Sequence, residues 1–166
     1  MNSSLFQEQI IPIQNKLFRF ALRITGSHQD AEDVVQEVLS KVWQFTEEQS
    51  TRVQNWEAWC MTLTRNRSLD KSRAVALHRT DTLEGVATRV NDSHSPEQAA
   101  ETSDLIDQVR RFMQQLPEKQ RLVMHLRDVE ELSYDEIAMT LDMSLDMVKV
   151  NLHRARKTVR EKMLSL

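Results

Sequence analysis

Lys149, Val150, His153, Arg154, Lys157 and Arg160 recur one, three and four residues apart near the end of the chain. On a helix that spacing puts their side chains on one face. Ammonium, guanidinium and imidazole groups gathered in this way, with no nucleophile or paired acid among them, suit the recognition of phosphates and base edges better than covalent chemistry. A valine among them adds an apolar contact of the kind that meets a thymine methyl.

Those residues need a helix that packs its back and exposes its front. Residues 132–157 supply one, as the second of two short helices joined by a tight turn. Ser133 and Glu136 form the sequence signature of a capping box, and Ile137, Ala138 and Leu141 give the first helix an apolar face. Ser144 can cap the second helix, where Val148, Leu152, Ala155 and Val159 make the buried stripe. This is the pattern of a helix-turn-helix with its second helix offered to the DNA major groove. Spacing alone leaves two readings open, a solvated charged surface and a DNA-reading one. The charges lean toward the second: from Asp128 to Asp146 every charged side chain is acidic, and from Lys149 to Lys162 all but Glu161 are basic.

Composition sets bounds on the rest. With 166 residues the chain makes one ordinary domain or two small helical ones, and 40% hydrophobic residues allow a core. Only 2 Gly and 3 Pro, and no sustained apolar–polar alternation, predict an all-α protein. No apolar run is long enough to span a bilayer and no signal peptide opens the sequence, so a cytoplasmic protein without membrane insertion is expected. The single cysteine, Cys60, fits a reducing compartment and reads as core packing. A net charge of -3 means that any DNA-binding surface is local, and weak without a larger partner.

Earlier in the chain, Phe6, Ile10, Ile13, Leu17, Phe20, Ala21 and Ile24 trace a helical stripe that Pro12 starts or kinks, and Gly26 stands at its C-cap. Residues 27–29 are expected to make a turn and Asp30 to open the next helix. There Val34, Val35, Val38, Leu39, Val42 and Trp43 form the buried face, while Asp33, Gln36, Glu37 and Lys41 line the exposed one. Residues 46–54 lack apolar periodicity and are expected to form a loop. A helix from Asn55 or Trp56 begins apolar, with at least one of Trp56 and Trp59 in the core. It turns basic through Arg65, Arg67, Lys71 and Arg73, a platform suited to single-stranded nucleic acid. Residues 80–102 are polar and read as a linker. Helices resume at Asp104 with Leu105, Ile106, Val109, Phe112 and Met113, and Pro117 begins another that buries Leu122, Val123 and Leu126.

Enzyme and metal chemistry find no support. The five histidines are scattered without ligand spacing, and two isolated glycines cannot build a phosphate loop, so no cofactor, metal site or catalytic residue is expected.

ALRITGSHQDAEDVVQEVLSKVW and WCMTLTRNRSLDKSR in the first half, and LPEKQRLVMHLRDVEELSYDEIAMTLDMSLDMVKVNLHRARK in the second, carry a family resemblance. The chain resembles the extracytoplasmic-function (ECF) sigma factors of the sigma-70 superfamily. The resemblance implies two helical domains, region 2 over 1–79 and a region 4 helix-turn-helix over 103–166, joined by a flexible linker over 80–102. It implies a bacterial transcription initiation factor, not an enzyme. Its partners would be core RNA polymerase (β′ clamp helices and β flap), promoter DNA and an anti-sigma factor. Carried over by motif, Asp33, Gln36, Glu37 and Lys41 would dock on the clamp helices. Arg65, Asn66, Arg67, Lys71 and Arg73, behind the 46–54 loop, would hold the unwound minus-ten strand. Lys149, Val150, His153 and Arg154 would face the minus-thirty-five bases, with Arg156 and Lys157 on the backbone. The chain departs from the family where glycine is frequent, at Glu131 and Asp142, and where Gly-Thr is frequent, at Asp146-Met147. Aspartate tolerates a left-handed turn, whereas Asp146 would repel a phosphate at the start of the reading helix.

Overall fold

A computed structural model describes the backbone of residues 2–81 and 100–166 and the side chains of 2–78 and 103–166. The core of the expected linker lies outside the described residues. Among those described, every regular element is helical and there is no strand, as composition predicts. The chain divides into two compact units.

In the N-terminal unit a broken lead-in precedes the first long helix. It consists of α1 (Ser3–Leu5), a π turn (Phe6–Ile10) and a 3-10 turn (Ile11–Ile13). Pro12 lacks the N–H that an unbroken α-helix would use there, and the winding tightens around it. Helix α2 (Gln14–Thr25) ends at Gly26, whose φ of 67° is the left-handed conformation that glycine adopts without a Cβ clash. Its N–H donates to the Leu22 carbonyl at 2.9 Å. Helix α3 (His28–Trp43) starts two residues before the expected Asp30, because Ser27 is its cap and accepts from the Asp30 N–H at 3.3 Å.

Two further expectations fail in this unit. Residues 46–54 are not simply a loop: α4 (Glu47–Arg52) forms there, held by a capping box between Thr46 and Gln49. The T-x-x-Q signal was present in the sequence, but periodicity cannot detect a helix that buries only Ser50. Trp43 does not belong to the buried face. It is 50% exposed, one position off the stripe of Val34, Val35, Val38 and Val42, with its ring edge-on to Phe6 at 5.1 Å between centroids.

Helix α5 (Trp56–Asp81) completes the unit, its first turn capped by the Asn55 side chain accepting from the Ala58 N–H at 2.9 Å. Helices α2, α3 and α5 pack on one another around Leu17, Phe20, Val34, Val38, Ala58 and Met61. Trp56 is in the core and Trp59 half-buried, with Phe45 edge-on to Trp59 at 5.0 Å. Cys60 is fully buried; loss of hydration, aided by Glu57, pushes its thiol up to about 12, which leaves it inert as a nucleophile at neutral pH.

The C-terminal half of the chain holds α6 (Ala100–Gln114), α7 (Glu118–Met124), a π turn (His125–Val129), α8 (Tyr134–Leu141) and α9 (Leu145–Leu164). Helices α6 and α7 pack against α9. Helix α6 begins four residues before Asp104, and its Leu105 and Ile106 are about half exposed. Both caps of the helix-turn-helix form as the sequence predicts. The Ser133 N–H donates to Glu136 Oε2 at 2.7 Å and the Glu136 N–H to Ser133 Oγ at 3.2 Å, while Ser144 Oγ accepts from the Met147 N–H at 3.2 Å. The apolar stripe of α9, from Val148 through Leu152 and Ala155 to Val159, is buried as expected.

The two positions where the family resemblance implies a frequent glycine, Glu131 and Asp142, have φ of 62° and 51°. Asp142 is a residue type that visits this region; Glu131 is not. Glu131→Gly is therefore expected to stabilise the C-terminal unit by roughly 0.5–1 kcal/mol, the relieved strain being partly offset by a freer unfolded chain. A higher urea midpoint with unchanged slope would register it; a lower midpoint would show that the glutamate side chain contributes more than its backbone strain costs.

Candidate functional site

In the N-terminal unit the site is built by α3 lying against α5. Positions 33, 36, 37 and 41 fall within one strip of α3, opposite the buried valines, and all four side chains are exposed. The five positions singled out on α5 do not form one patch. Arg67 and Lys71, four residues apart, stand on the side that faces α3. Asn66 and Arg73, seven apart, share the side away from the core. Arg65 is half-buried and donates from Nη1 to Asn66 Oδ1 at 3.5 Å. Arg73 lies 4.0 Å from Asp70 on its own helix.

The two groups of residues also meet. Lys71 Nζ donates to Asp33 Oδ2 at 3.0 Å, and Arg67 Nε lies 3.9 Å from Glu37 Oε2. The acidic strip of α3 and part of the basic face of α5 thus form one surface. No spacing within either helix reveals this, because it depends on which faces the packing brings together.

In the C-terminal unit the back of α9 is in the core and its front is free. Lys149, Val150, His153, Arg154 and Lys157 are exposed. Lys149, His153 and Arg154 have no ion pair among the described residues, so their donors are available to a ligand. Lys157 is 3.9 Å from Glu161, a loose exposed pair of little strength. A groove of about 610 Å³ runs beside this face, lined by Lys149, His153, Arg156, Lys157 and, from α8, Tyr134.

Arg156 differs from its neighbours. It stands at the edge of the exposed face, donating from Nε to Asp128 Oδ2 at 3.0 Å and from a second nitrogen to Oδ1. That hydrogen-bonded carboxylate holds the guanidinium above its usual range. Sequence reading missed Asp128 as its partner, 28 positions away. It also read the acidic run after Asp128 as surface, yet Glu130 is 1% exposed, its Oε1 lying 3.2 Å from Nε2 of the equally buried His125. The charge asymmetry is therefore smaller than it looks, though α9 keeps its basic front. Asp146 is exposed and shares the side of α9 that carries Lys149, Val150 and His153.

No cluster of three or more His, Cys, Asp or Glu among the described residues could hold a metal, and no described helix is long and apolar enough to cross a membrane.

Comparison with known proteins bears on both units. The chain matches the family model for sigma-70 region 2 over residues 12–76 and that for sigma-70 region 4 over residues 106–159. It is 32% identical over 148 residues to the ECF RNA polymerase sigma factor SigE of Mycolicibacterium smegmatis, a match covering 89% of this chain and 57% of that relative's length. It is 31% identical over 148 residues to the ECF RNA polymerase sigma factor SigL of Mycobacterium tuberculosis, covering 87% of this chain and 80% of the relative. Among solved structures, the sigma factor RpoE from Bartonella quintana, in complex with the anti-sigma factor NepR, matches with a TM-score of 0.68 at 23% identity over 94% of each chain. CnrH, in complex with the cytosolic domain of CnrY, gives 0.67 at 18%, over 99% of this chain and 90% of that one. These two likenesses concern the fold.

Proposed function

The chain belongs to the ECF sigma factors of the sigma-70 family, and from that premise we propose that it binds core RNA polymerase, directs it to specific promoters and helps open the minus-ten element. The observation that carries the reading is the presence, in one chain, of an exposed polar strip on α3 and a free basic front on α9. A stand-alone helix-turn-helix regulator would use the second and leave the first without a role. An adaptor for acidic proteins would need neither the caps nor the apolar back that present α9 as a reading helix.

In this reading Asp33, Gln36, Glu37 and Lys41 dock on the β′ clamp helices. Asn66 reads a base of the unwound minus-ten strand, since its amide both donates and accepts, and Arg65, Arg67, Lys71 and Arg73 hold phosphates. Helix α4, rather than an open loop, walls the place before Trp56 where a base flipped out of that strand would sit. Lys149, Val150, His153 and Arg154 face the minus-thirty-five bases in the major groove. Lys157 holds the backbone, and Arg156 does so only as far as Asp128 releases it. The C-terminal unit also meets the β flap. One solved neighbour, RpoE from Bartonella quintana, is in complex with the anti-sigma factor NepR, which supports a partner of that kind here. The chain acts in the cytoplasm, where polymerase is, and leaves bond-making to the polymerase. A net charge of -3 is compatible with this division, because two modest contacts on one tether multiply.

Run-off transcription with core polymerase, with and without the chain, on a promoter library tests the reading; no promoter firing above core alone would end it. Within that assay Glu37→Lys is expected to weaken polymerase affinity roughly tenfold, about 1.4 kcal/mol. The same change should leave duplex binding by α9 untouched. Equal polymerase affinity would move the docking face elsewhere.

A further inference from the structure

Asp33 and Glu37 are one helical turn apart on α3, and Arg67 and Lys71 one turn apart on α5. The pairs run antiparallel, Asp33 to Lys71 at 3.0 Å and Glu37 to Arg67 at 3.9 Å, so that they form two rungs between packed helices. Under the proposed function the carboxylates serve polymerase and the cations serve the unwound strand. Each rung therefore joins a group wanted by one partner to a group wanted by the other. While a rung is closed, the carboxylate cancels the field of its cation and repels an approaching phosphate. A basic polymerase side chain that takes the carboxylate leaves the cation free.

We propose that Asp33 and Glu37 restrain Arg67 and Lys71 in the free chain, and that polymerase docking releases them to nucleic acid by exchange of ion-pair partners. The inference rests on the two roles assigned above. Strand capture by the free chain is then weak, and it strengthens once docking has opened the rungs. The rungs are part-exposed, with Asp33 and Glu37 side chains each 54% accessible, so each contributes modestly and opens readily. A restraint on this scale suits a device that must yield to every docking event.

The test uses the full-length chain without polymerase and a fluorescein-labelled single-stranded oligonucleotide carrying a minus-ten sequence, followed by anisotropy across a salt series. Asp33→Asn with Glu37→Gln is expected to bind roughly tenfold more tightly than the unaltered chain, about threefold for each exposed pair opened. Two cations newly available to phosphate should steepen the salt dependence of log K by about 1.4. A control, Glu8→Gln with Glu32→Gln, makes the same change in net charge at carboxylates that are within ion-pair distance of neither Arg67 nor Lys71; it should stay within about twofold of the unaltered chain in screened buffer. If the rung variant binds no tighter than the control, or if neither binds measurably, the restraint does not exist. Run-off transcription with the control separates this outcome from failure of the sigma reading. A control chain that fires promoters beside a rung variant with no gain in strand affinity overturns the restraint alone. A rung variant that gains strand affinity while no chain fires a promoter supports the restraint and counts against the reading.

Discussion

Glu130→Ala is expected to lower the stability of the C-terminal unit by about 3–5 kcal/mol, the range found when one partner of a buried pair is removed. Glu130 and His125 are each 1% exposed, 3.2 Å apart between Oε1 and Nε2. The π turn makes their meeting possible. In an α-helix, residues five apart lie on different sides, but the wider winding here closes Glu130 N–H onto the His125 carbonyl at 3.1 Å and stacks the two side chains. Truncating the glutamate leaves an imidazole without this partner and a void at a fully buried position. Thermal or urea unfolding followed by circular dichroism should show the C-terminal transition lost or strongly shifted. Replacing both residues with leucine should recover much of the loss, because two apolar groups of similar volume remove both members of the pair together. A single Glu130→Ala variant within 1 kcal/mol of the unaltered chain (roughly the ceiling for an exposed pair) would mean that the pair is not the anchor its burial implies.

Arg154→Ala is expected to reduce firing of promoters that depend on the upstream element by roughly 10–100-fold, the range for one good side-chain contact to a base edge. Arg154 is exposed on the front of α9 and has no ion pair among the described residues, so its guanidinium is free to make two parallel hydrogen bonds. Lys157→Ala is the useful comparison. Lys157, proposed to hold phosphate, already lies 3.9 Å from Glu161, so the effect of removing it should be smaller, uniform across promoter sequences and strongest at low salt. If Arg154→Ala weakens all promoters equally, the arginine holds backbone and base reading belongs to Lys149, Val150 or His153. Arg156→Ala should report on structure as well as on DNA, because it also frees the Asp128 carboxylate.

Local signals in the chain proved readable where one short stretch of sequence sufficed. Ser133 with Glu136, Ser144 before Leu145, and Gly26 after Thr25 each specify a helix end through a few neighbouring atoms. The buried stripe of α9 follows from spacing alone, since one periodic face must leave water. Asp142 could be marked as a left-handed position from the glycine that the family resemblance implies there, whereas the φ of Glu131 appears only in the structure. Weak periodicity misled in both directions. It hid α4, which has a cap and almost no buried face, and it put Trp43 on a buried face that does not cover it.

By itself the sequence determined the all-α class, the helix caps, and the type of residue offered on each exposed face, because all of these arise within about four residues of chain. Partnership between distant residues was decided only by tertiary packing. Lys71 meets Asp33 across 38 positions and Arg156 meets Asp128 across 28, and the π turn turns Glu130 from an apparent surface acid into half of a buried pair. The reason is physical: a charge on a helix is free or committed according to what the neighbouring helix places within 4 Å of it, and helical periodicity carries no information about that neighbour.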